Sequence, residues 1–398
     1  MAESAMDWNS LRRRCDEASR WMAVATAFSL VVSTALCTVT MVLFLVFWIA
    51  SGGYRAKLAQ IQAQPIAISS LALLLMLVLG VVYSSATLAQ ALDTLRSYRE
   101  LLYIPLLLTA FNEQQWQRRG YYAFLAAMAL TLILSYCKLF GWPPLGPPEQ
   151  EYTVFKGRIA HGLLMAYAIY LWAEHFMQQG RWRWLWGILA AFGLVNLLLM
   201  IGGRTGYFVF FALIVLFMYR HWRWRGLLAS GLVVVGLALV AYYSSDIFRA
   251  RMGETMLDLK SPEAPEAITS GRVRLEFYSN TLGLIMRHPV LGGGTGSFIP
   301  EYAELAKAKD LYPTNNPHNE FLLITTQVGL FGLVLLLMLG YRQWRMSYGL
   351  RPEFSAAAQA LIVTMAIGCL FNSLLLDFTE GHFYALLTGI CYGSFKSK

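Results

Sequence analysis

The sequence predicts an all-α, polytopic membrane protein of about twelve transmembrane helices with one long extramembrane loop that contains short helices. Three observations predict it. Of 398 residues 57% are hydrophobic and 14% charged, against roughly a quarter charged in soluble domains. Apolar runs of about 20 residues, the length of helix that crosses a bilayer core, recur along the whole chain. These runs are continuous rather than alternating, so the spanning elements are helices and not barrel strands.

In chain order the expected spans are 20–34, 36–51, 65–84, 98–112, 120–140, 158–177, 183–201, 205–220, 225–244, 319–341, 354–376 and 380–395. One long tilted helix in place of the first two would make eleven spans; two short ones are preferred because Ser33-Thr34-Ala35 offers a place to turn. The basic start (Arg12, Arg13, Arg14, Arg20) resembles a signal peptide, but the apolar run after it is too long and no small-residue cleavage site follows. Residues 55–63 mix Arg55, Lys57 and glutamines with apolar residues, the composition of a short interfacial helix. The chain divides into spans one to nine (1–244), a loop with helical segments (245–318) and spans ten to twelve (319–398).

The net charge of +9 does not indicate nucleic-acid binding, because most Lys and Arg residues cluster in short segments between apolar runs. With both termini inside, short inside segments hold 18 of the 32 basic residues and short outside segments six; the other eight lie in the long loop. That asymmetry follows the positive-inside rule. The six exceptions are Arg96, Arg99, Lys138, Lys156, Arg158 and Arg204. Snorkelling to headgroups is one reason for a basic residue there; a bound anion is the other. The five cysteines are odd in number and contain no CxxC, which suggests neither a disulfide framework nor a zinc site.

A loop as long as 245–318 is usually functional. Pro262 and Pro265 precede Ser270-Gly271, a helix is expected from about Arg272 to Arg287, and a second near 297–308 follows the run Gly292-Gly293-Gly294-Thr295-Gly296. That run lacks the Lys-Ser/Thr of a P-loop and follows no buried strand, so helix termination and tight packing account for it. His318 follows Pro317, precedes a possible N-cap at Asn319 and opens an apolar span. An imidazole beside a helix N-terminus is favoured in its neutral form, which suits a base but equally a packed polar residue. Arg204, at the mouth of a helix N-terminus, and Arg272 and Arg274, at the start of the loop helix, are placed to grip phosphate oxygens; solvated arginines are the alternative. Lys156 and Arg158 join them from charge and topology alone. Asp377 and Glu380 lie in the last short outside turn, and no DxD cluster for a divalent cation occurs.

Gly203-Arg204-Thr205-Gly206 resembles the first signature of the O-antigen ligase and polymerase superfamily. Ser270-Gly271-Arg272 with His288-Pro289-Val290-Leu291-Gly292-Gly293-Gly294-Thr295-Gly296 resembles its second, and Pro317-His318-Asn319-Glu320 running into Gly329-Leu330-Phe331-Gly332 its third. Together they cover about residues 200–340, in order. The resemblance implies a multi-pass enzyme of the Gram-negative inner membrane, similar to GT-C-like glycosyltransferases that use polyprenyl-phosphate donors, with its loop and active site facing the periplasm. It implies glycan transfer from undecaprenyl diphosphate to a lipid A–core hydroxyl, with no cofactor, nucleotide, nucleic acid or metal. By motif, His318 matches the essential histidine, and Arg204 and Arg272 the essential arginines. Arg158, Lys156, Arg274, Asn319, Asp377 and Glu380 are expected to bind substrate. The expected chemistry is a single inverting displacement, with His318 as base and arginines on the leaving diphosphate. The alternatives are an O-antigen polymerase, a protein O-oligosaccharyl ligase and, in another class, a lipid-linked-glycan transporter.

Overall fold

The computed structural model describes residues 8–141, 152–260 and 270–395. Pro262 and Pro265 lie outside the described residues. The described chain is helical throughout and has sixteen α-helices. In order they are α1 Trp8–Val32, α2 Thr34–Ala50, α3 Tyr54–Gln62, α4 Pro65–Val82, α5 Leu88–Ser97, α6 Glu100–Ala110, α7 Gln114–Leu139 and α8 Arg158–Met177. Then follow α9 Arg183–Val195, α10 Arg204–Ser244, α11 Asp246–Lys260, α12 Ser270–Ile285, α13 Phe298–Lys309, α14 Glu320–Ser347, α15 Pro352–Phe371 and α16 Phe378–Tyr392. Every expected span falls on one of these helices. By length and composition alone, six helices among the described residues can cross a membrane, one of them α9 continued by a π-helical turn over Asn196–Met200, or seven if the bent pair α2–α3 forms one span.

Local sequence explains the breaks. Ser33 separates α1 from α2 and accepts a hydrogen bond from the Leu36 amide at 3.3 Å. The two helices then pack together through Thr40, whose hydroxyl lies 3.1 Å from Thr26 and 2.9 Å from Ser29. The expected turn at Ser33 is therefore real, and hydroxyls hold the pair. At Gly52-Gly53, both with positive φ, the chain bends by 114° into α3, the short helix expected over 55–63. Thr87 and Gln90 form a capping box at the start of α5. Pro65 and Pro352 begin their helices, where a missing N–H costs nothing. The two spans expected over 205–244 form one helix broken at Arg223 (φ 54°, ψ −137°).

The core centres on α16, whose residues Thr379–Tyr392 are all buried, and on the middle of α8. A helix apolar on every side belongs inside a bundle. Exposed apolar side chains instead lie along α2, α4, α9 and the second limb of α10.

The glycine run 292–296 is not a free loop. It is wedged between α4 and a break in α14 at Val328–Gly329. The amides of Gly293 and Gly294 donate to Thr326 and Gln327 carbonyls at 2.9 and 2.8 Å, and Leu330 N–H donates to Pro289 O at 2.8 Å. On the other side Thr295 donates to Gly80 O from its amide and to Leu77 O from its hydroxyl. The loop thus takes up helix hydrogen bonds that the break in α14 leaves open. A Cβ on Gly329 would lie 2.0 Å from the Val290 carbonyl oxygen, and one on Gly292 2.4 Å from the Gln327 carbonyl carbon. Tight packing, as expected from sequence, is the role of this run.

Candidate functional site

Five chain segments meet at one end of the bundle: the N-termini of α8, α10 and α14, the C-terminus of α15, and α12 laid against them. Arg158 is the first residue of α8 and Arg204 the first of α10. Glycines let these two helices touch. A Cβ on Gly206 would lie 2.9 Å from the Gly162 backbone, and one on Gly203 would lie 2.7 Å from the Arg158 carbonyl. Both helices are preceded by a glycine with no side-chain cap. Glycine at both N-caps supplies no side-chain acceptor, and the two adjacent N-termini present the positive ends of two helix dipoles.

Arg274 approaches this mouth from α12. One guanidinium nitrogen donates to Asn372 Oδ1 at 3.4 Å, and Asn372 Nδ2 donates to Thr205 Oγ1 at 3.0 Å. Asn372 thus ties α12 to the start of α10. Arg274 has a lowered pKa, chiefly from burial, partly opposed by Tyr278 and reinforced by the charges of Arg204 and Arg158. Three guanidinium groups therefore share one field. Arg272 lies half-buried in the first turn of α12, about 200° around the helix from Arg274.

His318 borders the cluster. Its backbone is left-handed (φ 56°), a conformation that costs a non-glycine residue about 1–2 kcal/mol. Asn316 holds it there by accepting the His318 N–H at 2.8 Å, and Asn316 in turn is held by the Ser373 hydroxyl at 2.7 Å. The Tyr278 hydroxyl lies 3.1 Å from the His318 carbonyl and 2.7 Å from that of Leu370. Phe277 stacks on the imidazole, ring centroids 6.1 Å apart. Burial first, and then the charge of Arg274, hold the imidazole below the usual histidine range. The neutral ring is the form available at neutral pH.

The remaining expected residues have other surroundings. Asn319 caps α14, accepting the Leu322 amide at 3.1 Å and donating to Leu370 O at 3.2 Å; its amide is committed to structure. Lys156 is buried, and its ammonium has no hydrogen-bond partner among the described residues. Burial lowers its pKa, and the titratable side chains nearest it are Cys37 and Glu380, not the arginines. Asp377, with a pKa raised by burial, lies within electrostatic reach of Glu320 and Glu380. Neither Asp377 nor Glu380 is among the groups that act on His318.

Sequence reading missed Asn372, Asn316, Phe277 and Tyr278. The last two had a signal: Arg274, Phe277 and Tyr278 are spaced i, i+3, i+4, one helical face. Asn372 had none, since its partner Thr205 is 167 residues away.

Residues 188–337 match the family model described as O-antigen ligase. The match over this segment supports membership of the O-antigen ligase superfamily. The matched segment runs from α9 to α14 and holds Arg204, Arg272, Arg274 and His318. Members of the superfamily are glycosyltransferase-like ligases or polymerases acting on lipid-linked glycans, and the apolar helices agree with a membrane protein. No curated protein matches the chain. Arg158 and Asn372 lie outside the O-antigen ligase match, on helices that fold against it.

Proposed function

We propose that this protein transfers an O-antigen glycan from undecaprenyl diphosphate to a hydroxyl of lipid A–core, at the periplasmic face of the inner membrane. The observation that carries this reading is the meeting of Arg158, Arg204 and Arg274 with His318 at one end of the bundle, where α8 and α10 begin side by side behind N-cap glycines. A diphosphate bears the charge such a mouth favours, and guanidinium groups match its oxygens in a bidentate way. Arg272 is included from its motif position.

In this mechanism the arginines take up charge developing on the leaving diphosphate. Neutral His318 accepts the proton of the acceptor hydroxyl as that oxygen attacks the anomeric carbon, and the carbon–oxygen bond to the diphosphate breaks in line. One displacement inverts the anomeric centre. Metal-independent chemistry follows if the guanidinium groups alone supply the counter-charge. The reading also includes twelve spans in a GT-C-like arrangement, both termini cytoplasmic, and 245–318 as the periplasmic layer between 1–244 and 319–398.

The test is acceptor identity. Purified protein in proteoliposomes is given one undecaprenyl-diphosphate-linked glycan and, separately, lipid A–core, a second lipid-linked glycan, or an acceptor protein. A glycan–lipid A–core product supports the ligase. Elongated lipid-linked glycan marks a polymerase, glycoprotein a protein ligase, and movement of donor across the bilayer without a new glycosidic bond a transporter. Arg272→Lys keeps charge and loses the planar fork, so transfer is expected to fall sharply; an unchanged rate would mean that charge alone suffices.

A further inference from the structure

The six basic residues that broke the inside-charge pattern now divide. Arg158 and Arg204 belong to the site above. Lys138 donates to the Thr153 carbonyl at 2.9 Å, and Lys156 is buried near Glu380. Arg96 and Arg99 remain. They flank Tyr98 at the joint between α5 and α6 and line a separate cleft of about 530 Å³.

The cleft is two-faced. One wall carries Arg96, Arg99, Tyr103 and His382; the other, from α2, carries Met41 and Val42. Val39, Val42 and Val46 are each about half exposed, and at spacing i, i+3, i+7 they form one apolar stripe that leads out of the cleft along α2. Arg99 is pre-set. One guanidinium nitrogen donates to the Arg96 carbonyl at 3.0 Å, another is 3.6 Å from Glu100, and the guanidinium lies 5.4 Å from the centre of the Phe378 ring. Glu100 is itself 2.9 Å from His382 on the same wall, so its carboxylate is divided between the imidazole and Arg99. Arg96 is exposed, and its guanidinium makes no hydrogen bond or ion pair among the described residues. Asp93 is the one carboxylate lining the cleft; Arg99 shares Glu100, and Arg96, with no ion pair within 4 Å among the described residues, is the guanidinium left for an anion.

We propose that this cleft binds the phosphate of an anionic glycerophospholipid in the leaflet on the His318 side, with an acyl chain along the α2 stripe. A phosphate at a paired-arginine wall and a hydrocarbon chain on an adjoining apolar stripe match a lipid and not a free ion. The site is separate from the Arg204 mouth but connected to it. The Tyr98 hydroxyl donates to Glu320 Oε1 at 3.0 Å, and Glu320 Oε2 accepts the Leu375 amide at 2.9 Å. Glu320 stands two residues after His318. A lipid that fixes Arg96 and Arg99 therefore braces the turn from which the imidazole projects, which makes the lipid a positioning partner.

The experiment is a thermal-shift titration of the full chain in uncharged detergent with dioleoyl phosphatidylglycerol, dioleoylglycerol, inorganic phosphate or a polyprenyl phosphate. Phosphatidylglycerol is expected to raise the melting temperature, dioleoylglycerol and inorganic phosphate to do little, and polyprenyl phosphate to act more weakly. Arg96→Gln is expected to weaken the phosphatidylglycerol effect by about tenfold in midpoint concentration, and Arg96→Gln with Arg99→Gln to abolish it. Arg204→Gln is expected to keep it, which separates this inference from the proposed transferase reading. Equal stabilisation of the Arg96→Gln protein, or an equal effect of inorganic phosphate or polyprenyl phosphate, would overturn the assignment.

Discussion

Gly329→Ala tests the wedge that sets the angle of the His318 helix. Gly329 has φ +67° and ψ −170°, a region open essentially to glycine and costing other residues about 1–3 kcal/mol. The new methyl would lie 2.0 Å from Val290 O and 2.2 Å from its carbon, and a peptide plane cannot yield as a flexible side chain does. Relief requires the loop to leave α14, which breaks Leu330 N–H to Pro289 O and Phe331 N–H to Val290 O, at 2.8 and 3.3 Å, worth about 1 kcal/mol each. The sum is a destabilisation of about 3–5 kcal/mol, or a fall of roughly 4–6 °C in melting temperature for a chain of this size. The assay is thermal unfolding in detergent beside glycan transfer. Gly231→Ala is the control, because nothing lies within 4 Å of its Cβ position in α10 and alanine gains about 0.5–1 kcal/mol in a helix. Gly329→Ala melting within about 2 °C of the parent would refute the wedge.

Other expectations concern the site itself. His318→Ala should lower transfer by about 10²–10⁴-fold at unchanged protein level; substantial residual activity removes the base assignment. His318→Gly should be equally inactive yet melt higher than the alanine variant, because glycine relieves the left-handed backbone at about 1 kcal/mol. The pH profile has a definite sign. The working base is the neutral ring, so rate is lost as pH falls through its pKa, and burial with Arg274 places that limb below the usual histidine range. Arg274→Gln removes one of these causes and should move the acid limb of kcat to higher pH; an unmoved limb means that burial acts alone. Asn372→Leu breaks the tie between Thr205 and Arg274 and should cost about 1–3 kcal/mol while raising the donor KM, read by thermal unfolding and steady-state kinetics.

The helices were legible because lipid-crossing segments leave a strong local mark. The break at Ser33, the bend before α3 and the extent of α12 and α13 all follow from residues a few positions apart. The site was legible only in part. Arg204 and His318 announce themselves by breaking a pattern, an outside charge and a histidine opening an apolar run. Asn372 and Ser373 do not, since their meaning comes from Thr205 and Asn316, which only folding brings near. Lys156 shows the reverse: its position in the sequence suggested phosphate, but its ammonium is buried with no hydrogen-bond partner among the described residues. Charge and topology assign a residue to a face of the membrane; they do not say which way it points.

The contact between Gly162 and Gly206 also sets a rhythm for turnover. It holds two like electrical poles side by side without a side-chain cap on either, an arrangement least favourable when bare and most favourable when an anion shields both. On the proposed reading, the departing polyprenyl diphosphate carries more negative charge than the glycan-bearing donor did. The fold then opposes the exit of its own product. Release, not bond making, becomes the slow event, and ionic strength its natural lever, since mobile ions shield the vacated poles.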